Sequence, residues 1–286
     1  MTVLEGIKLT TEFFEKKGIS EPRINAELLL AHILKCKKLD LYMAFDKPLK
    51  EDEVELYRKY LKRRAQAEPL QYIIGSVEFF GFPFVVNPSV LIPRQDTEIL
   101  VETILEKFDK SNSLHFLDVG TGSGIIPIVL AKYFPHAQFY AIDISQEAIT
   151  VAKENAALNN VSERVNFICM DAAYLETLDI TTFDVIVSNP PYVPIEEYNK
   201  LQLEITGHEP KNAVTDNGDG LSFYKLISQK ASQILGENGY LFFEIEKDKH
   251  QFVKEIMAEK NFEDITLKKD YSNIERVIYG VLNCVH

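Results

Sequence analysis

The chain has 286 residues, 46% hydrophobic and 26% charged, enough for one large or two modest cores and a poor fit to general disorder. Its formal net charge of −12 disfavours whole-surface binding to nucleic acid, which depends on Lys and Arg releasing counterions from phosphates. The charge is uneven: residues 1–72 hold 14 Lys and Arg against 12 Asp and Glu, the remainder 17 against 31, so the first segment either faces an acidic partner or presents a solvated helical surface.

Apolar residues recur at helical spacing through residues 4–64. Ile7, Phe13 and Phe14 suit a first helix. Ala26, Leu28, Leu29, Leu30, Ile33 and Leu34 suit a second, entered at Ser20-Glu21-Pro22, which reads as a cap with proline just inside the start. Val54, Leu56, Tyr57, Tyr60 and Leu61 suit another, entered through Lys50-Glu51-Asp52-Glu53. These predict a small all-helical domain over residues 1–72. From Tyr72 to Val86 the chain is rich in aromatic and β-branched residues with glycine punctuation, which predicts a β-hairpin inside a linker at 73–93.

Residues 94–286 alternate strands and helices. Strands are predicted at 115–118, 139–143, 165–169, 183–188, 240–245 and 276–281, with helices at 125–134, about 146–159 and about 220–234. Short apolar runs between helices predict a buried parallel sheet, hence an α/β, Rossmann-like domain.

Cys36, Cys169 and Cys284 are far apart and form no C-x-x-C pair, and the histidines show no H-x-x-x-H spacing. Neither a disulfide framework nor a metal site is expected. Residues 1–8 show no basic stretch leading into an apolar run, and nothing approaches the ~20 apolar residues that span a bilayer. A reducing, cytoplasmic setting is expected, with no membrane partner.

The chemistry sits at the predicted strand ends. Asp118-Val119-Gly120-Thr121-Gly122-Ser123-Gly124 follows a strand and opens a helix; its glycines allow a tight turn and close approach of a ligand to the backbone. A dinucleotide fingerprint would place its last glycine at Ile125, so a nicotinamide cofactor is disfavoured. Asp143 ends the next strand and can accept from both hydroxyls of a ribose, while Ser145 is the better cap for the following helix. Asp171, followed by Ala172, can accept from the exocyclic amine of adenine, or it is an exposed turn residue. Asn189-Pro190-Pro191-Tyr192 ends the fourth strand. Its prolines cannot continue the ladder and hold the Asn189 side chain and nearby carbonyls in one orientation.

This strand-end series resembles the class I S-adenosylmethionine-dependent amino-methyltransferases. More narrowly, the chain is similar to the HemK/PrmC family, which methylates the glutamine of the Gly-Gly-Gln motif in class 1 peptide-chain release factors. Further matching stretches are Glu68-Pro69-Leu70-Gln71-Tyr72-Ile73-Ile74-Gly75, Leu91-Ile92-Pro93-Arg94, Thr97-Glu98, Glu209-Pro210, Asp219-Gly220-Leu221 and Glu275-Arg276-Val277, so the likeness runs from about residue 20 to the end. It implies a class I methyltransferase domain joined by the hairpin to helices that dock the protein substrate. It implies S-adenosylmethionine, leaving as S-adenosylhomocysteine, held by Gly120, Thr121, Gly122, Ser123, Gly124, Asp143, Asp171, Ala172 and Asn189. It also implies that Asn189, Pro190, Pro191 and Tyr192 bind the target glutamine. The Asn189 oxygen and Pro190 carbonyl would accept from the amide, and Tyr192 would pack over it. Arg94 and Glu98 either help to close the site or hold the domains together.

The family often has Pro-Glu where this chain has Gln95-Asp96, an aromatic where it has His208, and a glycine where it has Glu246. The alternatives are a paralogue acting on a ribosomal-protein glutamine, an adenine-N6 DNA methyltransferase, which shares Asn-Pro-Pro-Tyr, and a non-catalytic S-adenosylmethionine-binding module. The helical domain favours the release factor, the acidic balance disfavours DNA, and the intact tetrapeptide disfavours a decayed module.

Overall fold

In the structure, a computed structural model that describes residues 1–180 and 182–283, a capping box starts the chain. The Thr2 hydroxyl accepts from the Glu5 N–H and the Glu5 carboxylate accepts from the Thr2 N–H, satisfying donors that the first turn leaves unpaired. Helix α1 (Val3–Lys16) follows, then α2 (Pro22–Leu34), α3 (Lys38–Met43), α4 (Glu51–Arg64) and α5 (Leu70–Ile74). They bury Val3, Ile7, Phe14, Leu29, Leu30 and Tyr57 in one core. With a later helix, Leu203–His208, they make up one of two units, Met1–Gly75 plus Gln202–His208.

Arg64 ties this unit together although it is 3% exposed. Its guanidinium donates to Asn25 Oδ1 at 2.7 Å, the Glu68 carbonyl at 3.1 Å and Glu204 Oε1 at 2.6 Å, so a buried charge is paired and its donors are used. Two sequence expectations need correction here. Pro22 does sit in the first turn of α2, but the cap is Glu21 in a left-handed conformation, φ 47°, with no side-chain capping bond. Tyr72-Ile73-Ile74, expected as strand, completes α5, which Gly75 ends at φ 82°.

The second unit comprises Ser76–Leu201 and the chain from Glu209 onward. It opens with the antiparallel hairpin β1 (Ser76–Phe79) and β2 (Phe82–Val85), then α6 (Asp96–Lys107). Next come β3 (His115–Val119), α7 (Ile125–Tyr133), β4 (Gln138–Asp143), α8 (Gln146–Leu158) and β5 (Val165–Cys169). A 3-10 segment (Ala172–Thr177) leads to β6 (Phe183–Ser188). After α9 (Ile195–Tyr198), the already described Leu203–His208 as α10, and α11 (Lys211–Val214), the fold closes with α12 (Ser222–Ile234), β7 (Leu235–Glu244), α13 (His250–Ala258), β8 (Phe262–Lys269) and β9 (Glu275–Leu282).

The sheet order is β5-β4-β3-β6-β7-β9-β8. The strands from β5 to β7 run parallel, and β9 runs antiparallel to both its neighbours. Alternate residues feed opposite faces, as the two-residue period of a strand dictates. Phe116, Val185 and Phe242 join α6, α7 and α8 in one core, while Leu117, Ile186 and Leu241 join α12 and α13 in the other. A parallel sheet covered on both faces is the α/β arrangement expected.

The hairpin is part of this unit. Phe79 and Phe84 enter the first core, and Asn155 of α8 with Asn159 at its C-cap fixes the backbone of β2. Asn155 accepts from the Val85 N–H at 2.6 Å and donates to the Val85 carbonyl at 3.0 Å; Asn159 donates to the Pro83 carbonyl at 2.9 Å. No described helix is long and apolar enough to cross a membrane. Cys284 lies outside the described residues.

Candidate active site

The carboxyl ends of β3, β4, β5 and β6 converge, and the chain reverses its strand order there, so this edge is where an open α/β sheet leaves a crevice. From β3 the backbone turns through Gly120 and Gly122, and the Gly120 and Thr121 N–H groups both donate to the Ile142 carbonyl at 2.9 Å. Gly124 is required for two reasons. It caps α7 at φ 81°, and a Cβ there would lie 3.0 Å from Ile128 Cδ1 and 3.1 Å from Ala152 Cβ. From β4, Asp143 grips the turn: Oδ2 accepts from the Gly122 N–H and Oδ1 from the Ser145 N–H, both at 2.9 Å. Ser145 caps α8 by accepting from the Ala148 N–H, as expected. Asp171 accepts from the Ala173 N–H at 2.8 Å and is exposed.

These ends line a cavity of about 460 Å³, within the range of small-molecule sites. Of the residues expected to act, Gly120, Gly122, Asp143, Asp171, Ala172, Asn189, Pro190 and Pro191 line it. Thr121, Ser123, Gly124 and Tyr192 do not line it. Thr121 and Ser123 are buried behind the turn, with the Ser123 carbonyl held by Asn155 Nδ2 at 2.9 Å. The Tyr192 hydroxyl donates to Glu244 Oε1 at 3.3 Å and its ring packs against the second core. Burial next to Glu244 drives the Tyr192 phenol pKa up.

Charge is one-sided in this cavity. Asp143, Glu147 and Asp171 contribute carboxylates, and no Lys, Arg or His is among the lining residues described. Behind the turn, Asp118 is 1% exposed and neither of its carboxyl oxygens has a hydrogen-bond partner. Burial first, then the charge of Asp143, push its pKa up to about 7. Burial also raises Asp143, against the N–H groups that favour its charged form.

The other wall is built differently. The Ser188 hydroxyl donates to the Val119 carbonyl at 2.7 Å, locking the end of β6 to the end of β3. Asn189 Nδ2 donates to Thr97 Oγ1 at 3.1 Å, so its Oδ1 is left to accept a bond. The chain leaving Tyr192 is held by the loop before α12. Val193 N–H donates to the Val214 carbonyl and Ile195 N–H to the Gly218 carbonyl, each at 3.1 Å. Asp216 gathers the Gly218, Gly220 and Ser222 N–H groups. Sequence reasoning did not assign Asn155, Thr97, Asp216 or Glu244; only proximity in the fold reveals them.

Arg94 pairs with Glu209 at 2.7 and 2.8 Å, immediately before the cavity-lining Pro210, and Glu98 accepts from the Phe80 N–H at 2.7 Å. Asp96 lies 3.1 Å from Arg276.

The model of the PrmC N-terminal domain matches residues 5–75, and that of a methyltransferase domain matches residues 110–278. The chain is 39% identical to the release factor glutamine methyltransferase of Chlorobaculum tepidum over 282 residues, 96% of this chain and 95% of that one. It is 38% identical to that of Geobacter sulfurreducens, across 98% of this chain and 96% of the relative. The chain belongs to the release factor glutamine methyltransferase family. The fold agrees: a methyltransferase of Pyrococcus furiosus superposes with a TM-score of 0.53 at 18% identity, covering 72% of this chain and 91% of that one. The Thermus thermophilus 16S rRNA N2 G1207 methyltransferase, solved with AdoMet and guanosine, gives a TM-score of 0.53 at 16% identity, over 73% of this chain and 50% of that one. Within this family the departures fall outside the cavity lining. Asp96 meets Arg276, His208 contacts the Gln66 carbonyl at 3.3 Å, and Glu246 has a buried, unpartnered Oε2.

Proposed function

We propose that this chain transfers the methyl group of S-adenosylmethionine to the side-chain amide nitrogen (N5) of the glutamine in the Gly-Gly-Gln motif of class 1 peptide-chain release factors. The observation that carries this reading is the pairing of a cation-free, carboxylate-lined cavity with an asparagine oxygen at its edge. A cofactor with phosphates would meet like charge there. S-adenosylmethionine has a sulfonium, an ammonium, a ribose diol and an adenine amine, and each suits an acceptor or a negative charge. The unpartnered Asp118 carboxyl behind the turn fits the same demand, because a bound cation would stabilise its charged form.

Asp143 holds the ribose: each carboxylate oxygen already takes one N–H and keeps lone-pair capacity for a hydroxyl. Asp171 and Ala172 take the adenine edge, and Gly120 and Gly122 let the ligand lie against the backbone. The bound cofactor supplies a methyl carbon activated by positively charged sulfur.

An amide nitrogen is a poor nucleophile because its lone pair is shared with the carbonyl. Asn189 Oδ1 and the Pro190 carbonyl accept its two N–H bonds, drawing electron density to nitrogen and aiming it at the carbon. Alignment of this kind supplies roughly 7–11 kcal/mol. Pro191 keeps the backbone in place, and Tyr192 anchors the tetrapeptide from behind through Glu244. Methyl transfer from the sulfonium, which would leave as a neutral thioether, would make the amide nitrogen strongly acidic; its proton would pass to water, so no charged general base is needed. The helical unit docks the release factor, and a cytoplasmic location follows from that substrate, without nucleic acid or membrane as a direct partner.

The test is incubation of the enzyme with labelled S-adenosylmethionine and a recombinant release factor, its Gly-Gly-Ala variant, ribosomal proteins and adenine-containing DNA. Label is expected on the intact release factor alone. Label confined to a ribosomal protein or to DNA overturns the proposal.

A further inference from the structure

Most lining residues of the cavity sit at strand ends, in the turns that follow them, or on α8 and α12. Two stretches do not. Ser89, Val90 and Leu91 lie between β2 and α6, and Pro210, Asn212 and Ala213 lie at or within the four-residue helix α11. Each has a local anchor. Asn87 takes the Ser89 N–H on Oδ1 at 2.9 Å and the Val90 N–H on its carbonyl at 3.1 Å. The far end of α11 is held by the Val193 N–H on the Val214 carbonyl.

An ion pair joins the two stretches to each other. Arg94 follows the first after Ile92 and Pro93, and Glu209 directly precedes the second. Arg94 Nη2 donates to both Glu209 carboxylate oxygens, at 2.7 and 2.8 Å, across 115 positions of sequence. The Glu209 side chain is 2% exposed and that of Arg94 37%, so the pair is better shielded than one in open water. Pro93 beside one partner and Pro210 beside the other have a fixed φ, which carries the position of the pair to Leu91 and to α11 with little slack. Both partners belong to the second unit. We propose that Arg94 and Glu209 are positioning residues that clasp the two stretches over the bound cofactor and slow its release. This rests on the reading that the cavity holds S-adenosylmethionine.

A wall that is ordered before the ligand arrives spares the ligand that ordering, and the gain appears chiefly as slower dissociation. Removing the guanidinium leaves the Glu209 carboxylate buried without its ionic partner, so the two stretches part to let water reach it. The clasp acts on the fit of the whole ligand and not on the charge at sulfur, so S-adenosylmethionine and S-adenosylhomocysteine loosen alike. Because both carboxylate oxygens accept from a single nitrogen, a lysine ammonium can stand in for the guanidinium here, as it could not in a two-nitrogen fork.

The test is stopped-flow dissociation of S-adenosylmethionine and S-adenosylhomocysteine from the full chain, with steady-state kinetics on the release factor, for R94A, R94K, E209Q and the double variant R94Q/E209Q, which keeps the bulk of the pair without its charges. Dissociation is read from folded, loaded molecules, so a loss of fold stability alone does not move it. R94A is expected to release both ligands about tenfold faster, the worth of one charge-assisted hydrogen bond. Its KM for S-adenosylmethionine should rise by a similar factor while kcat falls by less than about twofold. R94K is expected to recover most of the wild-type rate of release, and R94Q/E209Q to release no faster than the faster of R94A and E209Q, as for two residues that act as one. Wild-type release in R94A, no recovery in R94K, or additive losses in the double variant overturns the clasp. A wild-type protein that takes up neither ligand instead overturns the cofactor reading on which it rests.

Discussion

The two walls of the cavity solve opposite problems. The glycine-turn wall is made of backbone N–H groups and carboxylates, with Asp143 gripping Gly122 and buried Asp118 held unpartnered behind it. It works by charge and close approach. The Asn189 wall is made of prolines and side chains braced from the rear, with Ser188 on Val119, Asn189 on Thr97 and Tyr192 on Glu244. It works by direction. The contrast teaches that binding and orientation are separable here, and that substitutions should sort by wall.

The largest effect is expected from Asn189→Ala. It should cost about 100- to 1000-fold in kcat, the usual loss when a group aimed at the reacting centre is removed, while calorimetric cofactor affinity holds. An equal fall in both would show that the walls are one unit. Asp143→Ala should do the reverse. It should weaken cofactor affinity by about 10- to 100-fold, as loss of charge-assisted bonds does, and leave kcat nearly intact once cofactor saturates. Unchanged affinity would remove Asp143 from the ribose.

A pair of glycine variants sharpens the same contrast through stability. A Cβ on Gly220 would fall 2.2 Å from the Tyr192 carbonyl oxygen, at a backbone φ of +80°. Gly220→Ala should cost about 2 kcal/mol or more in chemical denaturation, since strain and overlap add. Gly122→Ala has nothing within 4 Å at φ +54° and should cost only about 1–2 kcal/mol of left-handed strain. Equal costs would mean that the loop after Asp216 does not brace the tetrapeptide.

The smallest effect is a pH dependence. Asp118, raised to about 7 by burial, is neutral below that pH and charged above it. Cofactor affinity should therefore climb as pH rises through about 7, by at most about tenfold per pH unit. A raised carboxyl pKa also stabilises the unliganded fold below the ordinary carboxylate range and loses that stabilisation as pH rises through about 7. Thermal stability without cofactor should fall across the window in which affinity climbs, and Asp118→Asn should flatten both curves.

Much of this architecture is readable from residue order. Val165–Cys169 and Phe183–Ser188 end where expected, because a buried parallel strand is a short apolar run with few other ways to be satisfied. The 3-10 segment before β6 and the short helices between β6 and α12 lack such a signature. Helix α6 went unassigned although Asp96 and Glu98 in its first turn and Lys107 in its last match its dipole. Tyr72-Ile73-Ile74 misled because β-branched and aromatic residues favour strand locally, while Pro69 before them and Gly75 after them enforce a helical turn. The line-up of Gly120, Gly122, Asp143, Asp171 and Asn189 around one cavity was legible, since each closes a strand on the same edge. The braces were not. Thr97 and Asn189 are 92 residues apart, and Asn155 and Val85 are 70 apart, so no local pattern links them. Tyr192 was legible as a member of the tetrapeptide, but its bond to Glu244, 52 residues on, was not.

The absence of any cationic side chain among the described lining residues of the cavity also bears on turnover. Spent donor differs from fresh donor by one methyl and one positive charge on sulfur, a small change in shape but a large one in charge. Carboxylates alone therefore sort the two electrostatically, favouring exchange of the neutral thioether for a new sulfonium. Added salt should narrow that preference by screening it.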